Sequence, residues 1–145
     1  MALASSARPP LTETGGRRRR KGMVVVFDSS FLIAVMEHPT PWTQDITEKV
    51  GFFHPVVVSS VRDELRRLAD RDNKRGKLAG LALELLDRGD LALEPDGGGK
   101  PDDEIISFAL KEGAAVATID SDLAERLRAS RVARVISLRG RRVSI

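Results

Sequence analysis

Residues 24–35 read VVVFDSSFLIAV, and this stretch decides the fold of the chain. Four consecutive apolar residues, 24–27, end at Asp28 and two serines, after which an apolar pattern of helical length resumes. A short β-branched run of this kind predicts a strand buried on both faces, as in the middle of a parallel sheet. Asp28 would then lie at the carboxyl end of that strand, where open α/β sheets bind their ligands. The alternative is that Asp28, Ser29 or Ser30 only caps the following helix.

The rest of the chain repeats this alternation of strand and helix. Further strands are predicted at residues 54–60, 91–95, 114–119 and 132–138. Helices are predicted to begin near Ser30, Thr43, Ser60, Lys74, Asp102 and Asp122. This order predicts an α/β fold, a three-layer α/β/α sandwich with a central parallel five-stranded sheet and right-handed crossovers. Ser60 is expected to form a capping box with Asp63, which leaves Glu64 as the acid of that helix without a structural role.

The composition describes one soluble globular domain in a chain of 145 residues, with 41% hydrophobic and 31% charged residues. The absence of cysteine excludes disulfides and thiolate metal sites. No apolar run approaches the roughly 18 residues of a membrane span, and residues 1–22 lack the apolar core of a secretory signal. We therefore expect a cytoplasmic protein without membrane attachment. An aromatic content of 4%, with no tyrosine, argues against a base-stacking surface.

The charge is divided unevenly between the first 22 residues and the rest. Residues 1–22 carry six bases and one acid, whereas residues 23–145 carry 18 bases and 20 acids. The first segment has no hydrophobic periodicity and contains Pro-Pro and Gly-Gly pairs, so we expect a disordered basic arm followed by a single domain at residues 23–145. The arm would bind nucleic acid through Arg17, Arg18, Arg19, Arg20 and Lys21. A plainer alternative is that Met23 is the true start.

The end of the chain carries a second basic cluster. From Arg126 onward there are seven arginines and no acid. Such a cluster is typical of a phosphate-binding face, and the alternative is an ordinary solvated surface. The candidate RNA contacts in this part of the chain are Arg126, Arg128, Arg139, Arg141 and Arg142.

Several acids fall where predicted strands end and helices begin, at one edge of the expected sheet. They are Asp28, Glu64, Asp102 or Asp103, and Asp120 with Asp122. Carboxylates that converge there repel one another by several kcal/mol at low effective dielectric, unless a divalent cation neutralises them. Oxygen ligands without cysteine favour Mg²⁺ or Mn²⁺. The alternative is that acids simply favour helix N-termini, which explains individual acids but not the acid and hydroxyl residues that follow both the first and the fourth strands.

Four segments resemble the motifs of the PIN-domain ribonucleases, in the same order. VVVFDSSFL resembles the opening motif, an Asp followed by small hydroxyl residues and an apolar helix, and VVSSVRDEL resembles the second, which supplies Glu64. PDDEIISFAL resembles the third, in which Asp103 matches best and Asp102 is adjacent. AVATIDSDLAERLR resembles the fourth, which supplies Asp120, usually with Asp122, and the hydroxyl of Thr118 beside the acids. The resemblance spans residues 23 to about 138.

This resemblance implies an endoribonuclease that cuts single-stranded RNA, rRNA or tRNA, with Mg²⁺ or Mn²⁺ as cofactor. The implied catalytic residues are Asp28, Glu64, Asp103 and Asp120, supported by Ser29, Ser30 and Thr118. Two branches compete: toxins of the VapC type, which pair with a small antitoxin, and the archaeal and eukaryotic branch that processes small-subunit rRNA. The fourth motif is closer to the rRNA-processing branch. An antitoxin, a ribosome-assembly protein and a second copy of the chain are left open as protein partners.

Two other classes would also explain part of the sequence. A receiver-like signalling domain places acids at strand ends, but it needs a lysine at the end of its last strand, where Leu138, Arg139 and Gly140 stand. A non-catalytic RNA-binding module would use the arginines, but it would not need Asp28 and Asp120 together with the other acids.

Overall fold

The computed structural model describes residues 22–95 and 98–145, and these form an alternating series of strands and helices. The strands are β1 (Met23–Phe27), β2 (Phe53–Val58), β3 (Ala92–Glu94), β4 (Ala115–Ala117), β5 (Val135–Arg139) and β6 (Arg142–Ser144). The helices are α1 (Ser29–Glu37), α2 (Trp42–Val50), α3 (Ser59–Ala69), α4 (Lys74–Asp87), α5 (Pro101–Glu112) and α6 (Ser121–Ala129). The predicted basic arm lies, apart from Gly22, outside the described residues.

The strands form one sheet in the order β3-β2-β1-β4-β5-β6. Strands β1 to β5 are parallel, which confirms the predicted five-stranded parallel sheet flanked by helices. The sequence prediction missed β6, which pairs antiparallel with β5 through a tight turn in which Gly140 has a φ of 62°. Only three residues form β6, too few for a periodic hydrophobic pattern.

The order of the strands reverses beside β1. The chain moves from β1 to β2 on one side, and it returns from β3 to β4 on the other side of β1. With right-handed crossovers, helices α1 to α4 cover one face of the sheet and helices α5 and α6 cover the other. A crevice opens at the carboxyl ends of the strands at such a switch point. The ends of β1 and β4 therefore define where a ligand would bind.

Strand β1 is the centre of the core. Residues 24–27 are each no more than 6% exposed, as the uninterrupted apolar run predicts for a strand covered on both faces. The Phe27 ring makes edge-to-face contacts with Phe31, at a centroid distance of 5.5 Å, and with Trp42, at 5.2 Å. Aromatic pairs in this geometry stabilise the core beyond the burial of their area. The packing fixes the position of Asp28, the next residue along the chain.

The helices predicted near Thr43 and Ser60 each begin one residue earlier, and the predicted capping box does not form. Helix α2 begins at Trp42, with Pro41 as its N-cap. Helix α3 begins at Ser59, and its N-cap, Val58, has no side chain that could form a capping box with Asp63. Asp63 instead accepts a hydrogen bond from its neighbour Arg62 at 3.1 Å.

The N-terminus of α3 is satisfied by a carboxylate from another helix, that of Glu104 on α5. Glu104 is 3% exposed, and it accepts hydrogen bonds from the Ser60 backbone N–H at 2.9 Å and from the Ser60 hydroxyl. It also accepts from the Ser59 hydroxyl and the Gly98 N–H, each at 3.2 Å. An acid is favourable here because the first N–H groups of a helix lack partners and carry partial positive charge. Glu104 thus ties the two faces of the sheet together.

A buried acid also joins α2 to the sixth strand. Asp45 is 3% exposed and accepts two hydrogen bonds from the Arg142 guanidinium, at 2.8 and 3.0 Å. The Val143 N–H donates to the same carboxylate at 3.3 Å. The hydrogen bond from Arg142 holds the pKa of Asp45 below its ordinary value. Arg142, which the sequence predicted as an RNA contact, is therefore engaged in a contact that holds the fold together.

We expect Glu104→Ala to lower the free energy of unfolding by about 2–3 kcal/mol, because buried donors at the start of α3 lose a charged acceptor. The matched control is Glu84→Ala, which removes an exposed glutamate from a different helix. Urea denaturation of both variants measures the difference. Equal midpoints for the two variants would contradict the role of Glu104.

Stability should also depend on the titration of Asp45. Because its folded pKa is depressed, the stabilisation is fully present above the ordinary value of 3.8 and is lost as pH falls through the folded pKa. The difference in unfolding free energy between wild type and Asp45→Asn should therefore be constant from pH 7 to about pH 5 and shrink below pH 3.8. Denaturation curves at several pH values test this expectation, and a difference that grows on acidification would rule it out.

Candidate active site

Asp28 stands at the switch point, directly after β1. Its backbone N–H donates to the Ala117 carbonyl at 2.9 Å, which continues the pairing of β1 with β4. The side chain is 5% exposed, and its Oδ2 accepts hydrogen bonds from the hydroxyls of Ser30 at 2.6 Å and Thr118 at 2.9 Å. Asp28 occupies the N-cap position of α1, yet its side chain makes no capping hydrogen bond. The capping alternative therefore does not explain this carboxylate.

The two hydroxyls that hold Asp28 also position the segment after β4. The Ser30 Oγ accepts from the Ile119 N–H at 3.1 Å, and the Thr118 Oγ1 accepts from the Asp120 N–H at 3.0 Å. Each hydroxyl has one hydrogen, and both hydrogens are donated to Asp28. The 3.2 Å approach of the two hydroxyl oxygens is therefore a packing contact. This network fixes Asp120 relative to Asp28, as the roles predicted for Ser30 and Thr118 require.

Glu64 reaches the same edge of the sheet from α3. Its Oε1 accepts a hydrogen bond from the Ser29 hydroxyl at 2.9 Å, so the first residue of α1 orients this carboxylate. Ser29 is buried, and Glu64 is half-buried. The structure thus brings Glu64 next to Ser29, the residue that follows Asp28. The capping box of Asp63, from which Glu64 was inferred in the sequence to have no structural role, does not form.

Asp102 and Asp103, on the first turn of α5, have different surroundings. Asp103 is exposed and accepts a hydrogen bond from Arg126 of α6 at 2.8 Å. The Asp102 side chain is 39% exposed and lies 4.0 Å from the same guanidinium. The pKa of Asp102 is raised, first by burial and then by the charges of Asp28, Asp120 and Glu64, against a lowering by Arg126. The structure therefore brings Asp102 to the other acids, whereas the sequence motif favoured Asp103.

Asp120 has two roles at once. It is the N-cap of α6, where its Oδ1 accepts from the N–H groups of Asp122 at 2.9 Å and Leu123 at 3.2 Å. Its charge also acts on Asp102 across the crevice. Asp122 is exposed on the first turn of α6 and, with Asp120, lines a cleft of about 400 Å³ between α6 and β5. The sequence carried no signal for this cleft, because hydroxyl and small residues on two elements form much of its wall.

The predicted RNA-binding arginines are distributed over three places. Arg126 spans from α6 to Asp103, and Arg128 lines the cleft. Arg139 ends β5 and Arg141 is in the β5–β6 turn, both exposed, whereas Arg142 binds Asp45. The basic run at residues 17–21 lies outside the described residues. The structure therefore places Arg126 and Arg128 beside the acids and assigns Arg142 a contact elsewhere.

The donor chemistry of these acids suits a hard divalent cation. The acids that act on one another (Asp28, Glu64, Asp102 and Asp120) offer only carboxylate oxygens, which Mg²⁺ and Mn²⁺ prefer. In residues 22–95 and 98–145, no three acid or histidine side chains stand close enough together to hold one ion as they are placed. The charges of Asp28, Asp120 and Glu64 all act on Asp102, in addition to its burial, and a divalent cation would neutralise them.

The fold and the acids at its switch point define a class, an α/β domain of the kind found in PIN-domain nucleases. Residues 25–141 match the family described as PIN like domain, and the chain belongs to that family. No curated protein matches the sequence. In the described part of the chain, no helix is long and apolar enough to cross a membrane.

Solved structures show the same fold. The chain is similar to the PIN domain endonuclease Utp24, with a TM-score of 0.69 and 19% sequence identity over 83% of this chain and 88% of that one. It is also similar to a domain of a functionally unknown protein from Methanocaldococcus jannaschii DSM 2661, with a TM-score of 0.61 and 16% identity over 85% and 96% of the two chains.

Replacing Asp102 should stabilise the protein when divalent metal is absent. A raised folded pKa means that the ionised carboxylate costs free energy in the folded state, fully so above the folded pKa, and the cost disappears as pH falls below 3.8. In EDTA at pH 7 we expect Asp102→Asn to unfold at higher denaturant than wild type. Because the side chain is 39% exposed and screened by solvent, the gain should be about 1 kcal/mol or less.

The control is Asp103→Asn, which removes the partner of Arg126 without relieving the crevice, and which should not stabilise. The gain from Asp102→Asn should shrink between pH 7 and pH 4. If Asp102→Asn instead destabilises the protein, the neighbouring carboxylates do not disfavour ionised Asp102 in the folded state.

Proposed function

We propose that this protein is a metal-dependent endoribonuclease that cuts single-stranded RNA. Asp28, Glu64, Asp102 and Asp120 would hold Mg²⁺ or Mn²⁺. One observation carries the proposal: Asp28, Glu64, Asp102 and Asp120 come from separate segments of the chain and meet at one edge of the sheet, where the charges of the other three, in addition to burial, raise the pKa of Asp102. A domain maintains such repulsion at the expense of stability, and metal binding by the same carboxylates accounts for it.

Asp102 replaces Asp103 as the third proposed ligand. Asp103 already forms an ion pair with Arg126 at 2.8 Å. Its side chain is also more exposed than that of Asp102, 59% against 39%. Its role in the proposal is to hold Arg126 at the edge of the site. Asp122 stays a proposed outer ligand, since it lies on the first turn of α6 after Asp120.

When bound, the cation would supply a hydroxide nucleophile and stabilise charge on the leaving oxygen of the phosphodiester. The chain's own contribution is orientation. Ser30 and Thr118 bind Asp28 at Oδ2 and Ser29 binds Glu64 at Oε1, so both carboxylates are held by hydroxyl donors. Partners of this kind hold metal ligands in place, and their loss commonly costs 10–100-fold in affinity or activity. Asp120 is held through Oδ1 by α6, which directs its other oxygen away from the helix.

The substrate class rests on the family and on the basic residues near the site. The fold is that of the PIN domain endonuclease Utp24, and Arg126 and Arg128 flank the acids. Among RNAs we favour rRNA, because the fourth motif is closer to the rRNA-processing branch than to the VapC-type toxins. A cytoplasmic location, a basic arm at residues 1–22 that adds phosphate contacts, and a ribosome-assembly protein, an antitoxin or a second copy as partner belong to the same proposal.

The test of catalysis is cleavage of a labelled single-stranded RNA with Mg²⁺ or Mn²⁺. We expect cleavage by wild type, its loss in EDTA, and a loss of at least about 100-fold in kcat/KM for Asp28→Asn, because a direct ligand should cost no less than a residue that only supports one. Circular dichroism should show an intact fold for Asp28→Asn. Wild-type rates in Asp28→Asn, or in EDTA, would refute the proposal.

The adjacent acids offer a matched pair for the third ligand. Asp102→Asn should cost far more activity than Asp103→Asn, although both changes remove one carboxylate from the same helical turn. The same ranking should appear without turnover, as a smaller shift in thermal midpoint on adding Mn²⁺ to Asp102→Asn than to Asp103→Asn. The reverse ranking in both measurements would return Asp103 to the ligand set.

A further inference from the structure

The cleft between α6 and β5 is a concave site that adjoins the proposed metal ligands, because Asp120 and Asp122 form part of its wall. Its volume is about 400 Å³, within the range of small-molecule sites. One part of its wall is apolar, formed by Ala124, Val135 and Ile119. Ile119, which directly precedes Asp120, is 46% exposed and so offers apolar surface to a ligand in the cleft.

The rest of the wall offers polar groups of several kinds. Ser121 and Ser137 carry hydroxyls that donate or accept, Glu125 is an acceptor, and Arg128 is a donor of fixed geometry. Val135 and Ser137 lie on the same face of β5 by strand alternation, and Arg139, two residues further on, continues that face toward the carboxyl edge of the sheet. The cleft therefore combines an apolar surface and hydroxyl groups with one cation, Arg128, and with the carboxylates of Asp120, Asp122 and Glu125.

The cleft is connected to the acids through the backbone. Thr118 and Asp120 both line it, and Thr118 donates to Asp28. The Ile119 N–H donates to Ser30, which holds Asp28 as well. A group seated in the cleft would thus lie next to the carboxylates, in a position set by the same hydrogen bonds that fix them.

We propose that this cleft binds one nucleotide of the RNA next to the phosphate that is cut. The apolar wall receives the face of the base, Ser121, Ser137 and Glu125 meet its polar edge or the ribose hydroxyls, and Arg128 binds phosphate. Direct contacts with base edges specify sequence, whereas arginine contacts with phosphate only position the strand. The cleft is then where the enzyme selects its cleavage site. This inference rests on the proposed function, of which it names a substrate subsite.

Nucleotide binding can be tested without cleavage. Each of the four ribonucleoside 5′-monophosphates is titrated into the full chain in EDTA, and binding is followed by NMR shifts of backbone amides. We expect saturable binding of at least one of them, with shifts at Ile119, Ser121 and Ser137. Ala124→Leu, which fills the cleft, should weaken this binding at least about fivefold, and Arg128→Ala should weaken it as well.

Two matched variants separate the cleft from general effects. Ala129→Leu adds the same side chain at an exposed position of α6, and Arg134→Ala removes an exposed arginine just before β5. Neither should change nucleotide binding. Absence of saturable binding by wild type, or equal weakening by Ala124→Leu and Ala129→Leu, would overturn the proposal.

Cleavage provides a second, independent readout. On RNAs that vary the nucleotides around the cut, Ala124→Leu should raise KM and change the preferred site more than it lowers kcat, and Ala129→Leu should do neither. If wild type binds nucleotide in the cleft but never cuts RNA, the nuclease proposal fails, and only nucleotide binding by the cleft stands, without its role in selecting a cleavage site. If wild type cuts RNA with no dependence on Ala124 or Arg128, the cleft proposal fails alone.

Discussion

The pairing of β1 with β4 is the constraint on which the site depends. Asp28 and Thr118 are 90 residues apart in sequence, yet the parallel register that places Phe27 opposite Ala117 makes them neighbours. The buried hydrogen bond from Thr118 to Asp28 is then almost unavoidable, because both residues directly follow their strands. Glu64 and Asp120 are positioned relative to this pair. Helix α3 brings Glu64 to Ser29, and the Thr118 hydroxyl receives the N–H of Asp120.

At this edge of the sheet, some contacts of the acids stabilise the fold and others destabilise it. Hydrogen bonds from serine and threonine hydroxyls stabilise Asp28 and Glu64, while neighbouring negative charges act against Asp102. Outside the site, buried acids in the described residues are matched differently: Asp45 by a guanidinium and Glu104 by the N-terminus of a helix. The contrast separates the two kinds of acid. Asp45 and Glu104 thus hold the fold, whereas Asp28, Glu64 and Asp102 have neither role, and Asp120 combines a helix cap with a charge that acts on Asp102.

The strand pattern could be predicted from the sequence because its apolar runs are uninterrupted, and the edge of the sheet that carries the acids followed from it. Helix phase was harder to predict. On α5 the apolar residues Ile105, Ile106, Phe108 and Leu110 do not mark one face clearly in the sequence, and in the structure Phe108 is buried whereas Leu110 is 51% exposed. A shift of one residue rotates a helix by about 100°, so the motif alone could not tell which of the adjacent Asp102 and Asp103 faces the other acids. Contacts between distant elements, such as Arg142 with Asp45, leave no local pattern in sequence.

Three consecutive acids on α5, residues 102–104, differ in role because their side chains point in different directions. Glu104 turns into the core, four residues before the buried Phe108, and caps α3. Asp102 faces the crevice, where three other acids raise its pKa, and Asp103 turns outward to Arg126. Residue type is nearly constant along this turn, so the direction of each side chain alone separates a structural acid, a proposed metal ligand and a surface ion pair. Because Glu104 anchors the turn to α3, which also carries Glu64, the core contact itself sets the direction in which Asp102 points.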